Sequence, residues 1–196
     1  MDTARKWQRA ASFAADRHRH HLRKDGRTPY VAHVYRVAMT VRDIFGCDDD
    51  DALAAALLHD TIEDTPTDFD DIEKRFGAAV AEMVAALTKN MILREDEREA
   101  DYDARLSRAD WRARLVKLAD VFDNLSDLHN RPAADLAAFR RMESRCERAI
   151  ALALPDESRE PVRRGIEAVR ELVEQARARF REGAEHGRGG RGTPAG

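Results

Sequence analysis

His59 and Asp60 close a stretch, 52–58, that is otherwise alanine and leucine, and Glu63 and Asp64 follow one turn later. At helical i,i+4 spacing Glu63 stacks over His59 and Asp64 over Asp60. Polar groups then project from the end of an apolar helix, where an unpaired charge is costly. Lys117, Asp120, Asn124 and Asp127 form a second set, within about 80° of one another on a helical wheel. They lie roughly opposite an apolar seam of Trp111, Leu115, Leu118, Phe122 and Leu125. His33 stands one turn before Val37, at the edge of a further apolar stripe, and the basic turn RKDGRTP (23–29) precedes it. Each piece alone also fits a plainer reading: an acidic helix end, a solvated face, a satisfied core histidine, a loop. Together, His33, His59, Asp60 and Asp120 are the right donor types for one borderline divalent metal. Glu63 and Asp64 would then be free to handle protons or position water. A binuclear site has less support, since only His129 and His186 follow His59.

Helices must hold these side chains. Trp7, Ala10, Ala11, Ala14, His18 and His21 repeat at helical spacing, as do Tyr30, Val34, Val37, Ala38, Val41 and Ile44. The run Asp48-Asp49-Asp50-Asp51 suits the start of a third helix, and the apolar stretch 52–58 predicts that this helix is central and buried. It should end near Thr65-Pro66, because proline disfavours a helical residue before it. Thr67-x-x-Asp70 reads as the capping box of a short helix closed by Gly77. A helix follows over 78–88, then a mobile helix or loop over the charged 90–106. Ser107-x-x-Asp110 opens a long helix whose seam runs on to His129, and two more helices follow Pro132 and Pro155. Strict apolar alternation is missing, so the fold class is all-α. Leu152, Ile166, Val169 and Val173 either pack inside or pair with another copy of the chain in a homo-oligomer.

The 196 residues suit one domain. Lys and Arg number 34 against 37 Asp and Glu, a net charge of −3, which gives no whole-protein argument for nucleic acid or an anionic membrane. A hydrophobic share of 43% speaks against disorder, and no uncharged apolar run reaches transmembrane length. The first residues carry no apolar signal core, and Cys47 and Cys146 make no disulfide framework, so the expected location is cytoplasmic. Six of the ten glycines fall in 183–196. This divides the chain into a domain over 1–182 and a flexible Gly/Arg-rich tail over 183–196.

The segments RKDGRTPYVAHVYRVA (23–38), AALLHDTIEDT (55–65), DIEKRFGAAVAEMVAALTK (71–89) and LVKLADVFDNLSDL (115–128) together resemble the HD-domain hydrolase of the RelA/SpoT family, and within it the small alarmone hydrolases. The resemblance implies a compact bundle of about eight to ten helices. It implies that His33, His59, Asp60 and Asp120 hold one divalent metal, usually manganese, and that Glu63 and Asp64 are the catalytic acidic pair. Arg23 and Lys24 match residues lining the substrate's phosphates and base, and Asn124 matches one that contacts the nucleotide. The implied reaction removes 3′-pyrophosphate from ppGpp or pppGpp, leaving GDP or GTP. The chain departs from the pattern at His20, His21, Val34, Val121 and Ser126. Basic residues are usual at the last two positions, so adenine analogues of the ppApp type, NADPH and ordinary nucleotides stand beside guanine alarmones as substrates. A non-enzymatic, antitoxin-like partner and a plain helical scaffold are the alternatives outside catalysis.

Overall fold

Helix α3 (Asp50–Leu58) lies at the centre, with residues 52–58 all buried. The computed structural model describes residues 5–128 and 136–189, with side chains as far as Arg181. In it α3 packs against α1 (Lys6–Arg17), α2 (Val31–Met39), α6 (Ala78–Leu87) and α8 (Trp111–Leu128). A helix apolar all round is stable only when other helices surround it. The aspartate run ahead of α3 serves more than that helix. Asp49 caps α3, accepting from the Ala52 N–H at 2.8 Å. Asp50 instead caps α1 from across the chain, accepting from the backbone N–H groups of Lys6 at 3.0 Å and Trp7 at 3.3 Å. Arg112, near the start of α8, donates to Asp49 at 2.9 Å. The acidic stretch therefore ties together the starts of α1, α3 and α8.

The remaining helices are α4 (Thr61–Asp64), α5 (Phe69–Phe76), α7 (Glu95–Arg108), α9 (Leu136–Ala153) and α10 (Glu160–Gly189). No strand occurs among the described residues. One isolated bridge, Leu22 to Pro29, closes the basic turn. Helix α2 continues into a π-helical turn over Thr40–Ile44, and Gly46 ends it with φ at 79°. A Cβ at Gly46 would meet the Arg164 guanidinium at 2.6 Å, which that flexible side chain can yield to, so the positive φ is what requires glycine there. Helices α8, α9 and α10 pack on one another and complete the bundle. No described helix is long and apolar enough to cross a membrane.

Several boundaries differ from the sequence pattern for identifiable reasons. Helix α1 stops at Arg17, so His21 lies beyond it. Helix α5 is capped by Asp68, which accepts from the Asp71 N–H at 2.8 Å, while the Thr67 hydroxyl turns to Thr65. The charged 90–106 segment is largely helix α7. Its Arg105 covers two carbonyls at the end of α6, Ala85 at 2.8 Å and Thr88 at 2.9 Å, and this pins a helix of low apolar content. Ser107 belongs to α7, and α8 begins at Trp111. Helix α10 runs on to Gly189, past the expected start of the tail at 183. His129, Pro132 and residues 190–196 lie outside the described residues. Ile166, Val169 and Val173 are buried within the chain itself, and Leu152 packs against the same core.

Gly165 lets α10 close on α8: a Cβ there would lie 3.2 Å from Leu118 Cδ1 and from the Phe45 ring. Gly165→Val is therefore expected to cost about 1–3 kcal/mol through overpacking. Urea unfolding followed by circular dichroism measures it.

Candidate functional site

The predicted continuous helix through His59 and Asp60 is interrupted there. Asp60 has φ −100° and ψ −1°, and a separate turn, α4, follows. Side chains take carbonyls that a continuing helix would use. His59 Nδ1–H donates to the Ala56 carbonyl at 2.8 Å, and the Thr61 hydroxyl donates to the Leu58 carbonyl at 2.6 Å. The Asp64 N–H still reaches the Asp60 carbonyl at 2.9 Å, so the polar group stays clustered.

His33, from α2, meets this junction. Donor atoms of His33, His59 and Asp60 lie within 4.8 Å of one another. Asp120, from α8, completes the group: its Oδ1 is 3.4 Å from His33 Nε2 and 3.8 Å from His59 Nε2. Both imidazoles use Nδ1 elsewhere, His59 on Ala56 and His33 on Asp123 Oδ2 at 2.6 Å. Their Nε2 atoms are left to face the carboxylates. His59 Nε2 is 3.0 Å from Asp60 Oδ2 but misaligned, so this buried nitrogen makes no hydrogen bond. A buried ring nitrogen without a hydrogen bond, among ionised carboxylates, fits a divalent cation that takes the place of a proton there.

The electrostatics point the same way. Burial pulls the His33 pKa down, yet hydrogen bonds to Asp120, Asp123 and Asp60 push it up to about 11. Burial opposes ionisation of Asp60 and Asp120. The neighbouring His59 and His33 for the first, and Lys117 with the same imidazoles for the second, nevertheless hold both carboxyls well below the usual range. The pocket thus demands positive charge. Lys117 Nζ donates to Asp120 Oδ2 at 2.8 Å, Asn124 Nδ2 donates to Asp120 Oδ1 at 2.6 Å, and the Tyr30 hydroxyl donates to Asp60 Oδ2 at 2.6 Å.

Glu63 and Asp64 reach solvent beside the cluster. The Lys89 backbone N–H donates to Glu63 Oε2 at 2.9 Å and fixes that side chain. The surrounding protein and the nearby Asp60 charge push both carboxyls above their ordinary values. Glu63 shares a cavity of 220 Å³ with His33, His59, Asp60 and Asp120, whereas Asp64 is not in its lining. Arg23 and Lys24 line a neighbouring cavity of 320 Å³. Asn124, Met142 and Arg145 border both. Lys24 is exposed, but Arg23 is occupied, donating to Asp127 Oδ2 at 2.6 Å and to Asn124 Oδ1 at 3.0 Å.

The sequence pattern did not single out Tyr30, Arg36 and Asp123, nor the α9 arginines Arg141, Arg145 and Arg148 that line these cavities. The α9 residues do recur at helical spacing, but nothing in that spacing says which neighbour the face meets. Of the other basic residues, Lys89 reaches the first cavity bound to Glu99, and Arg105 is spent on α6.

A sequence model of the HD domain matches residues 10–145. The chain belongs to the HD-domain family. The chain is 42% identical over 125 residues to the Drosophila melanogaster protein named guanosine-3′,5′-bis(diphosphate) 3′-pyrophosphohydrolase MESH1, covering 63% of this chain and 69% of the relative. The Homo sapiens protein of the same name is 43% identical over 121 residues, 61% of this chain and 68% of the relative. A solved structure described as a metazoan ortholog of SpoT that hydrolyzes ppGpp superposes with a TM-score of 0.75 at 29% identity, covering 89% of this chain and 97% of that one.

Adding Mn²⁺ to the chelator-treated HD domain is expected to raise its melting temperature, with about 2.7 kcal/mol gained at a hundredfold excess over Kd. His59→Ala and Asp60→Asn should each abolish the rise in differential scanning calorimetry.

Proposed function

We propose that the chain is a metal-dependent hydrolase that removes 3′-pyrophosphate from ppGpp-type alarmones, with manganese as its metal. The observation that carries this reading is the donor group of His33, His59, Asp60 and Asp120 sharing one cavity with Glu63. The Drosophila melanogaster and Homo sapiens relatives, 42% and 43% identical, are named for that reaction. A divalent cation bound there supplies Lewis acidity, lowering the pKa of a water and offsetting charge on phosphoryl oxygens.

The chain's own residues do the rest. Glu63, fixed by the Lys89 N–H, takes the proton of the attacking water. The water oxygen bonds to the phosphorus attached to ribose O3′, the P–O3′ bond breaks to release pyrophosphate, and O3′ takes up the proton that Glu63 removed, leaving the hydroxyl of GDP or GTP. Asp64 lies behind this step, close to the Tyr30 hydroxyl and Asp60, and steers protons around the group. Lys117 and Tyr30 hold the two donor carboxylates in place before substrate arrives, so no reorganisation is needed during reaction. The second cavity carries Lys24, Arg141 and Arg145 and receives the remaining phosphates. Asn124, which borders both cavities, touches the nucleoside that spans them.

The test is a product assay on manganese-loaded protein offered ppGpp, ppApp and NADPH separately. Pyrophosphate and GDP from ppGpp are expected. Turnover of NADPH or ppApp alone would replace the guanine substrate and keep the site chemistry, and no turnover of any would overturn the reading. Glu63→Gln should lose about 10²–10⁴-fold in kcat while binding Mn²⁺ as the wild type does. Because the Glu63 carboxyl is raised, and the base must be ionised, the acid limb of the kcat/KM profile should lie above the ordinary glutamate pKa. Activity falls as pH drops through that limb.

A further inference from the structure

His33 reaches the donor cluster with one ring nitrogen, and a second buried carboxylate stands behind the other. Its Nε2 faces Asp60 and Asp120 at 3.5 and 3.4 Å, while Nδ1 lies 2.6 Å from Asp123 Oδ2. Asp123 is 3% exposed. A carboxylate that deep needs hydrogen-bonding partners. Arg36 supplies them: its Nη2 donates to Asp123 Oδ2 at 2.9 Å, and its Nε donates to Oδ1. Arg36 is anchored in turn by Asp127 Oδ1 at 3.0 Å. His33 and Arg36 are one turn apart on α2, as Asp120 and Asp123 are on α8. Helix α2 therefore offers His33 to the cluster and Arg36 to Asp123, while α8 offers Asp120 to the cluster and Asp123 to His33.

We propose that Asp123, clamped by Arg36, is a positioning residue for cation binding: it keeps the His33 proton on Nδ1 and aims the Nε2 lone pair into the cluster. The proposal rests on the reading of His33, His59, Asp60 and Asp120 as a divalent-metal centre. A carboxylate behind a ligating imidazole fixes the ring and raises its basicity. His59 has only a neutral carbonyl, that of Ala56, in the same place. The two imidazoles are thus supported unequally, and His33 is the one whose ligand strength depends on a charged side chain. Asp123 does not line the cavity that holds the cluster, so it acts through His33 rather than on substrate.

Chelator-treated wild type, Asp123→Asn, Arg36→Gln and His59→Ala are titrated with Mn²⁺, the free ion being read by electron paramagnetic resonance. Melting temperatures of the metal-free proteins are taken alongside. Asp123→Asn is expected to weaken binding by about 10–100-fold, and Arg36→Gln by less in the same direction. In the Zn²⁺-loaded protein the His33 Nδ1–H proton should resonate far downfield in wild type and move upfield in Asp123→Asn, a change that a merely structural role would not produce. Wild-type affinity in both variants, with that resonance unmoved, overturns the proposal and leaves the centre standing. Should Asp123→Asn not fold, Arg36→Gln decides alone, since Arg36 is partly exposed and its loss leaves the carboxylate in place. If wild type binds Mn²⁺ no better than His59→Ala, the centre itself is wrong and the proposal falls with it.

Discussion

Two ionised carboxylates, Asp60 and Asp120, held among two buried imidazoles, set the condition that the surrounding helices satisfy. Like charges in a poorly solvated place repel strongly, and each must be matched. Lys117 and Asn124 match Asp120, and the Tyr30 hydroxyl reaches Asp60. The imidazoles contribute, but His59 Nε2 is left without a hydrogen bond. The four donors converge on one place and that unpartnered nitrogen faces it, a set that suits a divalent cation. Its rigidity comes from below: α3 is enclosed on every side, and the helix break at its end is held by the Ala56 and Leu58 carbonyls.

Charge is also divided across the site. The cavity that holds the donor group is rich in carboxylates, whereas the neighbouring one gathers Arg23, Lys24, Arg36, Arg141 and Arg145 against Asp25 and Asp127. An anionic ligand spanning both would meet a cation-demanding end and a cationic end. Arg23 and Arg36 are committed to Asp127 and Asp123, so they stiffen the wall between α2 and α8 more than they add free charge. The exposed Lys24, Arg141 and Arg145 have no such commitment to these aspartates and face the opening.

Much of this was legible in the residues. The all-apolar stretch 52–58 could only be a central helix, and the donor types at 33, 59, 60 and 120 converge as their chemistry required. Local hydrogen bonding hid the rest. The same His59 that marks the site also ends the helix, because its Nδ1–H competes for a backbone carbonyl, and periodicity carries no trace of that competition. Thr67 looked like a cap because Thr-x-x-Asp matches the pattern, but Asp68 is the residue with the right reach. The 90–106 segment has few apolar residues, and its helix depends on Arg105 and Arg148 contacts that are distant in sequence. Asp123 was invisible for the same reason: nothing in its own helix says that His33 lies opposite.

The α9 arginines bear on the departures at Val121 and Ser126. Basic residues at those two positions would place charge on α8. In this chain Val121 is buried against the cavity, and the Ser126 hydroxyl is turned back to the Phe122 carbonyl at 2.9 Å, so neither offers anything to an anion. Helix α9 packs along α8, and its Arg141, Arg145 and Arg148 line the same space from the other side. Arg148 is held by Glu99 and Asp103 of α7, at 2.6 and 2.7 Å. Positive charge beside the cavities therefore comes from α9, a helix that contributes none of the four donors. The consequence is mechanical as well as electrostatic. An anion drawn toward the α9 arginines is drawn away from Asp120 on α8, so the basic face and the donor carboxylate are carried by different helices.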